Sequence, residues 1–500
     1  MTVHLSILLF WPLLLSLLGA FAPRAVAPLF ALVGALIPLG YAVIMIVDYE
    51  PAARGLQYLT DDGWIDELGI RYTLGIDGLN LWLVALTALA FAASALWIAL
   101  RPPVRAKLYA LHFGIAETAV LGAFLAQDLA LFVLFFDLML VPFYFLLGQW
   151  GGPDRVQAAL KMVVYTLVGS LLMLAGAVAV AVLSPTGELT FSLAELRANL
   201  TGEDTQKLLF VAFALAFLIK MPAFPVHGWM PDAYRNMPLP VLAVFSGVVS
   251  KVAAYGFLKI ALPLFPAAVE DWQLILLLIG LCSILYGSIQ AFTQTNTRLI
   301  LGYSSVAQLG FIVLGIFALD ESANGAQGAL LQAINHGLVV VPAFLIVALL
   351  AARSGGSEDI RDMGGIAFRA PLLASLFLIV TLATLAMPGS ANFVSEFLIL
   401  LGVFQSKLVI ALIASTGVVL ASVYALRLYI RSMHNRTGVA VTSFELSLRD
   451  AVVLVPLVLC IIAFALYPQR ALDAGEPAVR SAVAPVTQPA EQAAAAEVTP

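Results

Sequence analysis

Ionisable side chains lie deep inside apolar stretches of this 500-residue chain. Asp137 follows Leu-Phe-Val-Leu-Phe-Phe, and Lys251 is flanked by Val-Phe-Ser-Gly-Val-Val-Ser and Val-Ala-Ala-Tyr-Gly. Glu117, His336 and Glu396 have similarly apolar neighbours. Because a charge at the centre of a bilayer costs at least about 2.5–3.5 kcal/mol, each of these residues requires a functional or structural reason.

These residue types can bind and release protons. Burial disfavours the charged form of a carboxylate or an amine, and a close partner of opposite charge restores it. A lysine beside a movable carboxylate is therefore a proton site whose affinity depends on geometry. Several such sites in series, linked by His, Tyr, Ser and water, would form a path for protons.

Lys220 is a further candidate, because it precedes Met-Pro-Ala-Phe-Pro. Proline has no backbone N–H, so carbonyls one turn earlier are left open. Such backbone at membrane depth is tolerated only where it is buried in protein or lines a wet cavity.

Structural explanations also exist for these residues. Lys220 and Lys259 could be lysines near helix ends that extend their amines to the interface. Asp137, Lys251 and Glu396 could form purely structural buried ion pairs. His336 could be a hydrogen-bonding group between helices.

The elements that position these residues are predicted to be membrane-spanning helices. The chain is 62% apolar and 11% charged, against roughly 25% charged residues in a soluble domain. With about 20 residues per span, the sequence predicts an all-α polytopic membrane protein with fourteen spans. They lie near 4–22, 27–47, 80–100, 108–126, 129–149, 159–183, 207–226, 239–262, 272–292, 298–318, 327–352, 371–403, 408–430 and 450–468.

Three irregular regions interrupt this pattern. Span 7 is predicted to break near Pro222 and span 12 near Pro388, and such paired breaks favour an inverted-repeat transporter. The loop 48–79 is acidic, and partial alternation from Trp64 to Asp77 favours a short extended or hairpin segment. The tail from residue 473 lacks a clear period and is predicted to be disordered.

The loop charges predict an orientation. Lys and Arg concentrate in loops after odd-numbered spans, whereas acidic residues dominate the loops after even-numbered spans. Since basic loops face the cytoplasm, both termini are predicted to lie on the outer, periplasmic side of a bacterial plasma membrane. The net charge of -5 is small and spread over the loops, and the absence of a basic run argues against nucleic acid as a partner. Cys282 and Cys460 lie inside apolar spans, so neither a disulfide framework nor metal-ligand spacing is expected.

Specific motifs resemble the proton-translocating antiporter-like family, which includes the large membrane subunits of respiratory complex I and of multi-subunit sodium/proton antiporters. The motifs are Lys220-Met-Pro-Ala-Phe-Pro-Val-His227-Gly-Trp-Met-Pro-Asp232, Ser250-Lys251-Val-Ala-Ala-Tyr-Gly and Thr295-Asn-Thr-Arg298-Leu-Ile-Leu-Gly-Tyr303. Within the family, Met387-Pro-Gly-Ser-Ala-Asn-Phe-Val-Ser-Glu396 and Asp137-Leu-Met-Leu-Val-Pro are similar to the M-type subunit, the counterpart of mitochondrial subunit 4.

The resemblance implies how the candidates act. It implies two inverted five-helix repeats and a pair where protons enter, Asp137 with Lys220. It also implies a central Lys251, His336 in the relay, and Glu396 where protons leave. Glu117 would be a coupling carboxylate. No cofactor or metal would be bound by this chain, because NADH, FMN, the iron-sulfur clusters and quinone belong to other subunits of such a complex.

The resemblance also implies a domain organisation. The N-terminal helices would occupy 1–107, the two repeats 108–270 and 271–436, helix 14 would occupy 437–472, and the tail 473–500. L-type and N-type antiporter-like subunits would lie on either side in the bilayer.

Four departures from the family pattern matter. Asp137 stands where the family usually has Glu, Gln308 where M-type subunits often have His, and Asn296 where Asp is common beside Arg298. In the loop between spans 7 and 8, Arg235-Asn-Met-Pro replaces a more usual acidic run before the proline. Gln308 puts that relay step in question, and water or His336 would have to replace it.

The function expected from these features is proton translocation within an NADH:quinone oxidoreductase. Alternatives are a subunit of a sodium/proton antiporter or membrane-bound hydrogenase, a stand-alone solute transporter, and a passive scaffold. Glu396 in place of the lysine of other relatives argues against the first alternative. The repeated cost of buried charges argues against a scaffold.

Overall fold

The architecture is known from a computed structural model that describes residues 4–53 and 55–487. Within these residues, eleven helices are long and apolar enough to cross a membrane, and three shorter helices are also apolar. The first elements are α1 (Leu5–Phe21), α2 (Ala27–Asp48), β1 (Gln57–Ile65), β2 (Ile70–Ile76), α3 (Leu81–Leu100), α4 (Ala106–Leu125), α5 (Leu129–Trp150), α6 (Arg155–Leu183), α7 (Leu193–Ala198), α8 (Glu203–Lys220), α9 (Met230–Asn236) and α10 (Leu239–Leu264). They are followed by α11 (Pro266–Thr293), α12 (Thr297–Ile316), α13 (Asn324–Arg353), α14 (Pro371–Thr384), α15 (Ala391–Ser406), α16 (Leu408–Met433), α17 (Leu448–Leu466) and α18 (Gln469–Thr487).

Three helices, α10, α12 and α13, lie at the centre of the protein and are surrounded by the other helices. The apolar windows of α10 and α12 are completely buried, and that of α13 is almost so. Peripheral helices such as α6 expose Val164, Leu171 and Val178 and bury Gly169 and Gly176. Apolar side chains therefore face outward, as expected for helices in lipid, and the mainly helical membrane fold predicted from the sequence is confirmed. The number of fourteen spans and the inverted repeats remain predictions.

Small residues allow α11 and α12 to pack closely. A Cβ atom added to Gly310 would lie 2.6 Å from the Gly280 carbonyl oxygen, and one added to Gly280 would lie 2.9 Å from the Gly310 carbonyl oxygen. Gly287 makes a similarly close approach to Ala307. Backbone contact of this kind is typical of helix pairs in membranes. The hydrophobic effect does not drive helices together in lipid, so small residues let the backbones approach and gain van der Waals contacts.

The extended segment predicted near Trp64 to Asp77 is a β-hairpin. Strands β1 and β2 pair antiparallel, with Thr60 opposite Leu74 and Asp62 opposite Tyr72. Gly69, with φ of +63°, follows the short 3-10 turn Asp66–Leu68. A Cβ on Gly69 would meet the Leu189 carbonyl oxygen, so the loop before α7 packs directly on the hairpin.

Both predicted helix breaks are present. Helix α8 ends at Lys220, just before Met221-Pro222, and continuous helix resumes only at Met230. Helices α14 and α15 are separated by residues 385–390, where Gly389 has φ of +88°. Pro388 has no N–H to continue the helix.

The prediction of a disordered tail from residue 473 is wrong for the residues that the structure describes. Helix α18 spans Gln469–Thr487 and crosses the expected boundary at 472. Its small apolar residues Ala471, Ala474, Gly475, Val479, Ala482 and Val483 are buried. They follow helical spacing, and this period is hidden in the sequence by alanine-rich composition and two prolines. Residues 488–500 of the predicted tail lie outside the described residues.

Gly310→Ala should lower the stability of the protein by about 1–3 kcal/mol, because the added methyl group meets backbone atoms of α11 that cannot move independently. The measurement is the thermal unfolding midpoint of the purified protein in detergent. Gly40→Ala is the matched control, since a Cβ there meets nothing within 4 Å. Equal midpoints for the two variants would contradict the close packing of α11 and α12.

Candidate functional site

The predicted ionisable residues are withdrawn from solvent. Lys251 is 0% exposed, and Glu117, Glu396, His336 and Lys220 are at most 5% exposed. Asp137 is partly buried, and its Oδ1 atom is inaccessible. These residues belong to six different helices, so only the tertiary structure shows which of them are neighbours.

Lys220 and Asp137 lie side by side without a closed ion pair. The Lys220 ammonium donates a hydrogen bond to the Phe136 carbonyl oxygen at 3.0 Å and lies 4.4 Å from the centre of the Phe136 ring. Asp137 is the next residue, near the hydroxyl of Ser170, and its charge acts on Lys220. A small movement of either side chain would change the strength of this interaction, which is the property that a proton site requires.

Local backbone irregularity explains the position of Asp137. The structure interrupts α5 at Met139, and Pro142 cannot donate to the Leu138 carbonyl as a regular helix would require. Lys220 is itself the last residue of α8. Both members of the pair therefore lie where a helix is broken, and the sequence predicted only the break beside Lys220.

Lys251 lies between two π-helical turns of α10, Phe245–Val249 and Phe257–Ala261. Its ammonium donates to the Ser246 carbonyl oxygen at 2.7 Å and to Ser250 Oγ at 3.1 Å. π-helical turns are rare and are frequent at functional sites. The wider turn supplies Lys251 with oxygen acceptors, so the amine needs no carboxylate partner at the centre of the protein.

His336 in α13 faces the same region. It is buried, Lys251 acts on it electrostatically, and its Nδ1 atom has no hydrogen-bond partner in the described part of the chain. An unpaired ring nitrogen beside a lysine can take up a proton that the lysine releases. The structure thus places Lys251 close enough to His336 for the lysine charge to act on the ring, and the relay role of His336 remains a prediction.

Glu396 lies in a group of neutral polar side chains. Gln332 Nε2 donates to Gln308 Oε1 at 2.5 Å, and Ser395 Oγ donates to Gln332 Oε1. The Gln308 and Gln332 amides are next to the Glu396 carboxylate, although neither carboxylate oxygen makes a hydrogen bond of standard geometry within the described residues. Gln308, expected to weaken the path, therefore belongs to the immediate surroundings of Glu396.

Glu117 is separate from this arrangement. It is buried in α4, its Oε1 atom has no hydrogen-bond partner among the described residues, and burial is the one influence acting on its carboxylate. No hydrogen bond or ion pair joins Glu117 to another candidate within residues 4–53 and 55–487, and its coupling role remains a prediction.

The third motif, Thr295 to Tyr303, has a structural role at the start of α12. Asn296 accepts hydrogen bonds from the backbone N–H groups of Arg298 and Leu299 and so caps the helix. Arg298 pairs with Glu358 at 2.7 Å, and Thr295 donates to Asp359. The Arg361 side chain lowers the pKa of Asp359 to about 2 in this loop. An asparagine serves as well as aspartate at a helix N-cap, which explains this departure.

Sequence reasoning missed two groups of residues. One is the set of amides and hydroxyls around Glu396, signalled only by Gln332 and Asn335 recurring on one face of α13. The other is the pair of Lys259 and Asp77, because the sequence suggests only an interface role for Lys259, whereas its amine lies 2.5 Å from the Asp77 carboxylate. Lys259 is therefore not a lysine that extends to the interface. Asp77 follows the hairpin and is remote in sequence, so the chain itself gave no signal for this pair.

Within residues 4–53 and 55–487, no group of three or more His, Cys, Asp or Glu side chains is placed to hold a metal ion.

Gln332→Leu should destabilise the protein by about 1–3 kcal/mol, because Gln308 and Ser395 would both lose a buried hydrogen-bond partner. The thermal unfolding midpoint of the purified protein measures this effect. Gln157→Leu is the control, because Gln157 is exposed on α6. A midpoint for Gln332→Leu as high as that of the control would show that this network is not needed for packing.

Comparison with known proteins identifies the family. A family profile described as NADH:quinone oxidoreductase/Mrp antiporter, TM, matches residues 126–421. NADH-quinone oxidoreductase subunit M of Rhodobacter capsulatus is 34% identical over 496 residues, covering 95% of each chain. Subunit M of Escherichia coli strain K12 is 37% identical over 429 residues, covering 84% of each chain.

Solved structures agree with the sequence comparison. A chain of respiratory complex I from Thermus thermophilus superimposes with a TM-score of 0.87 at 28% identity, covering 96% of this chain and 99% of that one. A chain of an archaeal membrane-bound sulfane sulfur reductase gives a TM-score of 0.81 at 25% identity, covering 93% of this chain and 76% of that one. A chain of the Mrp complex from a Dietzia species, at 20% identity and a TM-score of 0.82, shares the fold over 98% of this chain and 99% of that one. The chain belongs to the NADH:quinone oxidoreductase/Mrp antiporter family of membrane proteins.

Proposed function

We propose that this chain is the M-type proton-translocating subunit of an NADH:quinone oxidoreductase. The observation that carries the proposal is the set of buried ionisable residues inside a multi-pass membrane protein, three of which lie at irregular points of helices: Asp137, Lys220 and Lys251. Buried groups of this kind are expensive in a bilayer and mark ion or proton pathways.

Proton transfer would begin at Asp137 and Lys220 and continue through Lys251 and His336 to Glu396. Three features support this order. Lys220 is held by a backbone carbonyl beside Asp137, so the carboxylate is free to approach or withdraw. Lys251 is held by neutral oxygen atoms and lies near His336, whose Nδ1 atom has no hydrogen-bond partner among the residues that the structure describes. Glu396 has oxygen atoms without hydrogen-bond partners among the described residues.

Gln308 would orient groups in this path and would not carry the proton. An amide is neutral throughout the physiological range and keeps both N–H protons. Its contact with Gln332 fixes the amides that adjoin Glu396. Water in the gaps between His336 and Glu396 would complete the transfer, as proposed from the sequence.

The redox chemistry would take place elsewhere in the complex. NADH, FMN, iron-sulfur clusters and quinone are proposed to bind other subunits. This chain would then be an enzyme subunit without a redox centre, driven by conformational or electrostatic changes in its neighbours. L-type and N-type antiporter-like subunits are the proposed neighbours.

The principal alternative is a subunit of a sodium/proton antiporter or a membrane-bound hydrogenase. The similar chain of the Mrp complex, at 20% identity, supports the shared fold alone. The most similar relatives described above are both subunit M proteins, each more than 30% identical to this chain. Glu396 also argues for the M-type assignment.

Lys251→Met should lower the rate of proton translocation by the reconstituted complex by about tenfold or more, because a proton-transfer group is removed from the path. Lys220→Met and Glu396→Gln should have the same direction of effect. The measurement is the proton gradient formed in liposomes during NADH oxidation, with quinone reduction followed in parallel.

Lys207→Met is the matched control on α8, because Lys207 forms an exposed pair with Asp271 at 2.8 Å. If Lys251→Met pumps like this control while quinone reduction continues, the proposed path is wrong.

The proposed orientation, with both termini and the hairpin on the outer side of the plasma membrane, makes a separate prediction. A cysteine introduced by Asp62→Cys in the exposed hairpin should react with a membrane-impermeant maleimide in intact cells. Arg369→Cys, in an exposed loop predicted to be cytoplasmic, should react only after the membrane is permeabilised. The opposite labelling pattern would show that the protein has the reverse orientation in the membrane.

A further inference from the structure

A water-accessible cavity lies under the β-hairpin, on the face of the protein that also carries α7 and α18. It has a volume of about 860 Å³, and its lining includes Asp77, Gln127, Arg197, Lys259 and Ser481. Ala53, Asp61 and Glu195 also line it and are exposed, so the cavity opens to the surface. None of the residues that line it belongs to α12, α13 or α15, the helices that surround Glu396.

The floor of the cavity carries a buried ion pair with a third charge beside it. The side chains of Lys259 and Asp77 are 5% and 14% exposed, and their charged atoms are 2.5 Å apart. Arg197 in α7 donates to the Lys259 backbone carbonyl, and its charge also acts on Asp77. The Arg197 Nε atom is buried and has no hydrogen-bond partner within the described residues.

Two cations therefore act on one carboxylate: Lys259 is in direct contact with Asp77, and Arg197 acts on it through its nearby charge. Arginine keeps its proton in proteins, whereas the amine of lysine can release one. When Lys259 is protonated, it pairs with Asp77. When Lys259 releases its proton, Arg197 remains as the cation that neutralises Asp77. The cluster can thus exchange one proton with the cavity without leaving a buried carboxylate unpaired.

Helix α10 connects this cluster to the centre of the protein. Lys251, Tyr255 and Lys259 follow one another at intervals of four residues, which places them along one side of the helix. Eight residues correspond to about 12 Å of helix rise. The Tyr255 hydroxyl is buried between the two lysines, near Asn80 and Gln127, and it makes no hydrogen bond of standard geometry in the described part of the chain.

We propose that Lys259, Asp77 and Arg197 form a proton-exchange site that connects Lys251 to the hairpin face of this subunit, independently of Glu396. The site's ligand is a proton, delivered to or taken from water in the cavity. This inference rests on the proposed function, because it requires Lys251 to carry a transferable proton.

One proton moves along α10 from Lys251 to Lys259. Lys251 loses one N–H proton to the Tyr255 oxygen, with water in the gaps, while the hydroxyl proton of Tyr255 passes to the neutral amine of Lys259. Lys251 becomes neutral and Lys259 becomes an ammonium ion paired with Asp77. Lys259 then releases a proton to cavity water, and Arg197 takes over the pairing with Asp77.

Substitutions at Lys259 separate proton exchange from a structural role. Lys259→Met removes both the charge and the proton site, whereas Lys259→Arg keeps a cation beside Asp77 that does not release its proton. In the complete complex reconstituted into liposomes, both variants should lower the rate of proton translocation about tenfold or more. The thermal unfolding midpoint of Lys259→Arg should stay close to that of the unchanged protein.

The control variants are measured in the same reconstituted complex. Lys207→Met, which removes an exposed Lys–Asp pair of similar length, should pump normally. If Lys259→Arg restores pumping, the lysine is a structural partner of Asp77 and the proposed site is wrong. If Lys259→Met pumps normally while Lys251→Met does not, this site fails and the proposed function stands. If Lys251→Met also pumps normally, the proposed function itself fails.

Discussion

The cost of leaving a polar group unpaired in lipid is the constraint on which the rest of this structure depends. Every backbone N–H and C=O in the hydrocarbon region must find a partner, and regular helices meet this requirement without help. Helices α10, α12 and α13 are buried at the centre, away from lipid. That central location is where Lys251, His336 and Gln308 can be accommodated. Outer helices such as α6 carry leucine and valine on their exposed sides.

The same constraint explains why three of the candidate proton sites, Asp137, Lys220 and Lys251, coincide with irregular backbone. A regular helix uses its own carbonyl groups, so it offers a buried lysine little to bind. Lys220 at the end of α8 bonds to the Phe136 carbonyl, and Lys251 bonds to the Ser246 carbonyl within a π-helical turn. These neutral acceptors stabilise an ammonium without fixing it in a tight ion pair. A proton held in this way can be moved by modest electrostatic changes, which suits a path that must load and unload.

The hairpin face follows a different design. There the lysine is paired with a carboxylate at short distance, and a neighbouring arginine provides the compensating charge. The elements that build this face come from four distant parts of the chain: the hairpin, α7, the end of α10, and α18. Helix α18 covers the cavity through small residues, and Gly78 permits this approach, because a Cβ there would overlap the Ala474 carbonyl oxygen. The close contact shows why the last described helix is ordered despite its composition.

The membrane-helix fold, the helix breaks and the kind of chemistry can be read from the sequence alone. Long apolar stretches require helices in a membrane, the prolines at positions 222 and 388 mark the broken helices, and the buried charges point to proton chemistry. These are local properties, so periodicity and residue type reveal them. The tertiary structure decided which charges meet. It placed Lys220 beside the Phe136 carbonyl, turned Gln308 toward Gln332, and paired Lys259 with Asp77, 182 positions away. It also ordered residues 473–487, whose alanine-rich helix has little reason to form until it packs on its neighbours. Such contacts depend on distances between helices, and a single sequence carries no direct record of them.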